Sequence, residues 1–200
     1  MTHFSITPQT IFSSIVQHRH LITSLVHREI VGRYRGSVLG ILWSFFNPVF
    51  MLAVYTFVFS IIFKARWSAG DESKAEFALV LFAGLIIFNL FAECINRAPT
   101  LILTHVNFVK KVVFPLEILP WIIFGAAFFH ALVSFMVWLI FSFFVVGMPP
   151  GTIMFLPLLL VPLTFFVMGL SWLLASLGVF LRDIAQVVGI MTTTLMFLTP

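Results

Sequence analysis

The sequence predicts an all-α polytopic membrane protein, and three observations carry that prediction. Hydrophobic residues make up 61% of the chain and charged residues 9%, against about 25% charged in soluble domains. Gly36 to Phe63 contains no charged residue, and that run exceeds the ~20 residues that cross a bilayer core. Ile118 to Leu181 is also free of Asp, Glu, Lys and Arg. No water-soluble fold of this size hides so much apolar surface. The expected division is a cytoplasmic arm, residues 1–35, followed by a transmembrane domain, residues 36–200. Five spans are expected, near 37–63, 77–98, 116–146, 153–180 and from 184 to the last residue, 200.

The arm opens with Thr7-Pro8, a plausible helix start with Thr as N-cap and Pro in the first helical position. Ile11, Ile15, Ile22, Leu25 and Val26 fall within an arc of roughly 100° on a helical wheel. His20, His27, Arg28 and Arg35 lie mostly outside that arc, while His18 intrudes on it. The pattern suits a moderately amphipathic helix lying on the cytoplasmic leaflet. The first 30 residues lack the apolar core of a signal peptide, so no cleavage is expected.

The first span follows Arg28, Arg33 and Arg35 and contains Asn47-Pro48, where a kink or local break is expected. Gly32, Gly36 and Gly40 are spaced by four, which places them on one helical face and suggests close backbone packing. Lys64–Glu76 is a polar loop. The second span begins at Phe77 and meets Glu93, Asn96 and Arg97. Glu93 and Arg97 are four apart and able to pair. They either end the span at the interface, the preferred reading, or sit inside the protein with a functional role.

Ala98–Pro120 is too charged to span and too apolar for an open loop. Lys110-Lys111 set it on the cytoplasmic side, and a short helix is expected to end before Pro115. Gly147-Met-Pro-Pro-Gly151 divides the long uncharged run into the third and fourth spans. Each is near 30 residues, so tilt or an interfacial end is expected. Pro157 and Pro162 are placed to bend the fourth. Arg182-Asp183 forms a tight turn before the fifth apolar segment. The chain stops at Pro200 inside an apolar run, and one or two further spans are expected beyond it.

Charge placement fixes the expected topology. Arg19, Arg28, Arg33, Arg35, Arg97, Lys110, Lys111 and Arg182 share the side of the N-terminus, while Lys64, Arg66 and Lys74 fall opposite. The positive-inside rule then puts the N-terminus in the cytoplasm.

The sequence has no G-x-x-x-x-G-K-[ST], H-E-x-x-H, C-x-x-C or G-x-S-x-G motif. The single cysteine, Cys94, excludes an internal disulfide and reads as a small apolar residue. His130 is the one titratable candidate deep in a span. A hydrogen bond to a neighbouring helix is the preferred reading, and a proton relay or catalytic base the other. Glu117 follows the Lys-rich loop and is placed to pair with Lys110 or Lys111. The spans are rich in Phe and Trp, including Trp43, Trp121, Trp138 and Trp172. Most such rings face lipid or anchor the interface. The best candidates for a polymer pathway are Trp43, Phe45, Phe46 and Tyr55 in the first span.

Four separated stretches carry a family resemblance. Arg28 to Pro48 reads Arg-Glu-Ile-Val-Gly-Arg-Tyr-Arg-Gly-Ser-Val-Leu-Gly and then Trp-Ser-Phe-Phe-Asn-Pro. Asn89-Leu-Phe-x-Glu93 is followed by Asn96-Arg97. Asn107-Phe-Val-Lys-Lys-Val-Val-Phe-Pro-Leu-Glu-Ile-Leu-Pro120 is the most specific, because its charges and prolines hold fixed spacing. Phe180-Leu-Arg-Asp-Ile184 with Gln186 is the fourth. Together they resemble the permease subunits of ABC-2 type transporters that export O-antigen, capsule or teichoic acid.

The resemblance implies a six-span permease with a cytoplasmic N-terminus in the inner (cytoplasmic) membrane. It implies a homodimer of permeases working with two ATP-binding cassette subunits on a lipid-linked polysaccharide, O-antigen first among them. ATP and Mg would then sit on the partner, with no cofactor on this chain and no nucleic acid among its partners. It implies an ATPase-coupling role for Asn107, Phe108, Val109, Lys110 and Lys111, and for Arg28 and Arg33 in the arm. Two other readings compete: a lipid-modifying membrane enzyme using His130 with Glu93 or Glu117, and an ABC-2 permease for a small lipophilic substrate.

Overall fold

The computed structural model describes residues 8–58, 74–105, 115–147 and 151–198, and among them there is helix and turn but no strand. The arm is α1 (Pro8–Gln17) and α2 (Arg19–Arg33). The described part of α1 begins at Pro8, a residue whose missing N–H is no loss in a first helical turn. One residue, His18, separates the two. The ladder nevertheless runs through it, His18 N bonding Ser14 O at 2.9 Å and Ile22 N bonding His18 O at 2.9 Å. The His18 ring Nδ1 also lies 2.9 Å from Ser14 O and competes for that carbonyl at the joint.

The spans follow. They are α3 (Trp43–Phe57), preceded by a 3-10 turn at Gly40–Leu42, then α4 (Lys74–Arg97) and, after a 3-10 turn at Ala98–Thr100, α5 (Leu101–Thr104). After Pro115 come α6 (Leu119–Val145), α7 (Leu156–Phe180) and α8 (Ile184–Leu198). Among the described residues, four segments are long and apolar enough to cross a membrane: Gly40–Phe57, Phe77–Thr104, Leu116–Val145 and Gly151–Phe180. Ile184–Leu198 is a shorter apolar helix. Charge, Pro and Gly punctuate the apolar runs between them. The expected short helix before Pro115 and most of the Lys64–Glu76 loop lie outside the described residues.

One expectation is overturned. Gly32, Gly36 and Gly40 do not share a helical face, because α2 ends at Arg33. Gly36 has φ +89° and Gly40 φ +51°, values in the left-handed region that a side chain disfavours. Their work is to turn the chain from the arm into the first span, which therefore starts at Gly40 rather than Ser37.

Two compact units are distinguished. One comprises Met1–Arg33, Ala92–Ala127 and Thr164–Pro200, the other Tyr34–Phe91 and Phe128–Leu163. In the second unit, Leu52, Leu79, Phe82, Ile86 and Val137 form an apolar core, with Val49, Tyr55, Ala131 and Trp138 packed against it. The buried face of α3 carries Ser44, Pro48 and Leu52. Pro48 lies inside an unbroken α3. The Ser44 hydroxyl, one turn earlier, donates to Ile41 O at 2.7 Å. Trp138 Nε1 donates to Leu79 O at 2.8 Å, which ties α6 to α4 by a polar bond inside an apolar region.

In the first unit, Leu25 and Ile30 of α2 are buried, and Val26 lies against Gly125 of α6. Part of the arm's apolar stripe thus packs on protein. A Cβ at position 125 would stand 2.7 Å from Val26 Cγ2. Gly125→Ala is expected to lower stability by about 1–2 kcal/mol, and adding Val26→Ala to restore part of it. Detergent unfolding midpoints of the two variants check this; a double variant no better than the single would place α2 elsewhere.

In the same unit, the Ala98–Thr100 turn is sealed in: Ala98 and Pro99 are buried. Gly178 of α7 sits directly against the Pro99 backbone. Thr192 of α8 donates to Asn96 Oδ1 at 2.8 Å. The next two hydroxyls stay within their own helix, Thr193 donating to Gly189 O and Thr194 to Ile190 O, each at 2.9 Å. Before α8, Leu181–Asp183 makes the expected tight turn, with Asp183 O accepting from Gln186 N at 3.0 Å.

Candidate functional site

The arm meets the second span through charge. Two Glu-x-x-x-Arg pairs, Glu29/Arg33 on α2 and Glu93/Arg97 on α4, each place a carboxylate and a guanidinium one turn apart on a helix face. They pair crosswise. Arg33 Nη1 donates to Glu93 Oε1 at 2.6 Å, and Arg97 Nη2 donates to Glu29 Oε1. Arg97 Nη1 also lies 3.8 Å from Glu93 Oε1. The order Arg33–Glu93–Arg97–Glu29 therefore alternates in sign. The Glu93 side chain is only 17% exposed, so Glu93 is the covered member of a network whose arginines remain partly exposed. Glu29 was not legible as part of a site on its own; the repeated Glu-x-x-x-Arg spacing was the available signal.

A second polar tie lies nearby in the same unit. The Ser14 hydroxyl of α1 donates to Glu117 Oε1 at 2.8 Å. Glu117 belongs to the 3-10 turn Leu116–Ile118 that opens the third span, and Pro115 before it is extended, at φ −71° and ψ 100°. The backbone carbonyl of Glu117 accepts from Trp172 Nε1 of α7 at 3.1 Å. Among the described residues the Glu117 carboxylate is therefore engaged by Ser14. Its expected partners, Lys110 and Lys111, lie outside the described residues, as do Asn107, Phe108 and Val109. Arg28 is exposed on α2.

The pathway candidates separate into two groups. Trp43, Phe45 and Phe46 on the first turns of α3 are exposed, with the Phe45 and Phe46 rings edge to face at 6.3 Å. Trp43, Phe46, Phe50 and Phe57 form one exposed stripe, opposite the buried Ser44, Pro48 and Leu52. Tyr55 is on the packed side instead, its ring 6.4 Å from Phe82. Phe50 and Phe57 were not singled out from the sequence, although their spacing from Trp43 and Phe46 is helical.

His130 bonds a neighbouring element, as the preferred reading had it: Tyr34 Oη lies 3.2 Å from its Nε2, with the rings edge to face at 6.1 Å. Cys94 is buried and free, in keeping with an apolar role. No group of three or more His, Cys, Asp or Glu able to hold a metal ion occurs among the described residues.

Comparison with known proteins places the chain. The ABC-2 type transporter family profile matches residues 20–200. An O-antigen export system permease protein, RfbA, from Myxococcus xanthus is 27% identical over 186 residues, covering 93% of this chain and 69% of that protein. Two proteins of the same name from Klebsiella pneumoniae are each 25% identical over 182 residues, covering 90% of this chain and 67% of theirs. The chain thus spans about two thirds of the length of these relatives. With its apolar spans and basic arm, the chain is a multi-pass membrane protein that belongs to the ABC-2 type transporter family.

Proposed function

We propose that this chain is the transmembrane permease subunit of an ATP-driven exporter moving a lipid-linked polysaccharide, most specifically O-antigen, across the cytoplasmic membrane. The observation that carries the reading is the family match over residues 20–200 together with relatives named as O-antigen export permeases. Two permeases and two ATP-binding cassette subunits make the working assembly, and ATP and Mg reside on the partner. The N-terminus is cytoplasmic, which the excess of Arg and Lys on its side supports.

On this reading the chain performs no covalent chemistry. It supplies a pathway and the contacts that move it. The residues assigned to ATPase contact are Asn107, Phe108, Val109, Lys110 and Lys111, with Arg28 in the arm. Arg33 acts one step further in, since its guanidinium is held by Glu93. The exposed rings of Trp43, Phe45 and Phe46 offer flat apolar faces on which sugar rings stack. Tyr55 supports them from the packed side of α3 through Phe82.

Co-purification tests the reading. The full-length permease expressed with its ATPase subunit is expected to yield a stable complex, and Lys110→Glu/Lys111→Glu to reduce recovery at least about tenfold. A well-folded permease that binds no ATPase would overturn the transporter assignment. A complex indifferent to the reversal would move the contact to the arm.

A further inference from the structure

The proposed ATPase contacts lie on two separate stretches, the N-terminal arm and the segment that ends at Pro115. The structure bonds the first to the root of the third span through Glu117. Glu117 stands two positions after Pro115. Its carboxylate takes the Ser14 hydroxyl of α1 at 2.8 Å, and its carbonyl takes the Trp172 indole of α7 at 3.1 Å. Ser14 is itself fixed, because its carbonyl holds the ladder bond from His18 N at 2.9 Å.

Geometry and chemistry make this a joint rather than surface decoration. Glu117 is half-buried. A half-buried carboxylate is a poor choice for packing alone, since an apolar side chain fills the same place without desolvating a charge. It is a good choice for a directional tie, because a carboxylate accepts strongly from a hydroxyl at a fixed position. The tie consists of a single side-chain hydrogen bond, so its removal leaves the helices and their apolar contacts in place.

We infer that Glu117 is a positioning residue which, through Ser14 and Trp172, makes the arm, the root of the third span and α7 move together when the partner ATPase acts. The inference rests on the transporter reading and extends it. It assigns Glu117 an intramolecular role in place of pairing with the lysines of the preceding segment. A hydrogen bond that holds through the motion carries a displacement of one element to the others, as transmission through a contiguous network requires.

The test uses the full-length permease assembled with its ATPase in membrane vesicles. Export of lipid-linked polysaccharide is measured beside ATP hydrolysis for Ser14→Ala, Glu117→Ala, Glu117→Gln and the double alanine variant. Both single alanine variants are expected to assemble and hydrolyse ATP, while export per ATP falls about five- to tenfold. Glu117→Gln keeps the acceptor oxygen and is expected to restore most of it. The double variant is expected to be no worse than either single one, since both remove the same bond. Ser14→Ala removes only a hydroxyl, which also lies 3.4 Å from His18 Nδ1 one turn on, so it carries the test even if Glu117→Ala misfolds. An unchanged export-to-ATP ratio in Ser14→Ala, or strictly additive losses in the double variant, would sink the inference. Failure of the wild-type pair to assemble would overturn the transporter reading instead, and the inference with it.

Discussion

Gly178→Ala is expected to have the largest effect of any glycine-to-alanine change among the described residues. A Cβ at that position would collide with the Pro99 carbonyl oxygen and stand 2.6 Å from its carbonyl carbon. Both are backbone atoms of a turn that is itself buried, so no side-chain rotation relieves the clash. Overpacking in a tight core costs about 1–3 kcal/mol where side chains adjust, and here the larger end or more is expected. The 3-10 turn after Arg97 would have to leave α7. The measurement is the yield of monodisperse protein and its unfolding midpoint in detergent. A Gly178→Ala variant that purifies and unfolds like wild type would show that the Pro99 turn does not rest on α7. Gly125→Ala is the built-in comparison, because there the nearest atoms belong to the movable end of Val26.

The second large effect is expected from the crosswise ion network. Glu93 serves both Arg33 and Arg97, and Arg97 serves both Glu93 and Glu29. Glu93→Ala leaves two guanidinium groups without their shared carboxylate. Breaking a buried pair costs about 3–5 kcal/mol and an exposed one 0–1 kcal/mol. With Arg33 46% and Arg97 35% exposed, about 1–3 kcal/mol is expected after allowing for solvent. The loss should appear first as release of α2, read as faster proteolysis between Arg19 and Arg33.

The alternation of sign sharpens the prediction. Exchanging only Arg33 and Glu93 sets a basic side chain beside Arg97. Exchanging only Glu29 and Arg97 sets an acidic one beside Glu93. Neither two-residue exchange should restore protection of the arm. Inverting all four positions, Glu29→Arg, Arg33→Glu, Glu93→Arg and Arg97→Glu, restores every pairing and should recover most of it. Recovery by either two-residue exchange alone would mean that the pairs act independently and not as a network.

Several breaks between apolar runs were legible because a few residue types leave the chain no choice. Pro115 stands extended just before the third span, Gly147 takes φ +88° at its end, and Arg182-Asp183 stays exposed between α7 and α8. The three glycines at 32, 36 and 40 misled for a related reason. Spacing by four implies a shared face only if the helix continues, and nothing local distinguishes a packing glycine from one that turns the chain. The Glu93–Arg97 pair was legible from its spacing, but the cross-helix partners of Glu93, Glu117 and Asn96 were not, because each comes from a helix distant in sequence: Arg33, Ser14 and Thr192. A single chain names the charges along a helix but not which neighbour will face them. The aromatic stripe of α3 stands between these cases. Its period was present in the sequence, but which side of the helix would be covered depended on where α4 and α6 supply Leu79, Phe82 and Val137.

The threonine run of α8 has a consequence for solvation. Thr193 and Thr194 return their hydroxyl protons to carbonyls of their own helix, so what they show outward is methyl. A helix built this way presents lipid and protein with nearly the same hydrocarbon surface. It exchanges one for the other without stranding a polar group in the bilayer, where an unsatisfied donor is costly. Thr192 differs by one hydrogen bond, to Asn96. That bond is the polar toll on separating α8 from the second span, and it fixes the depth at which the two helices meet.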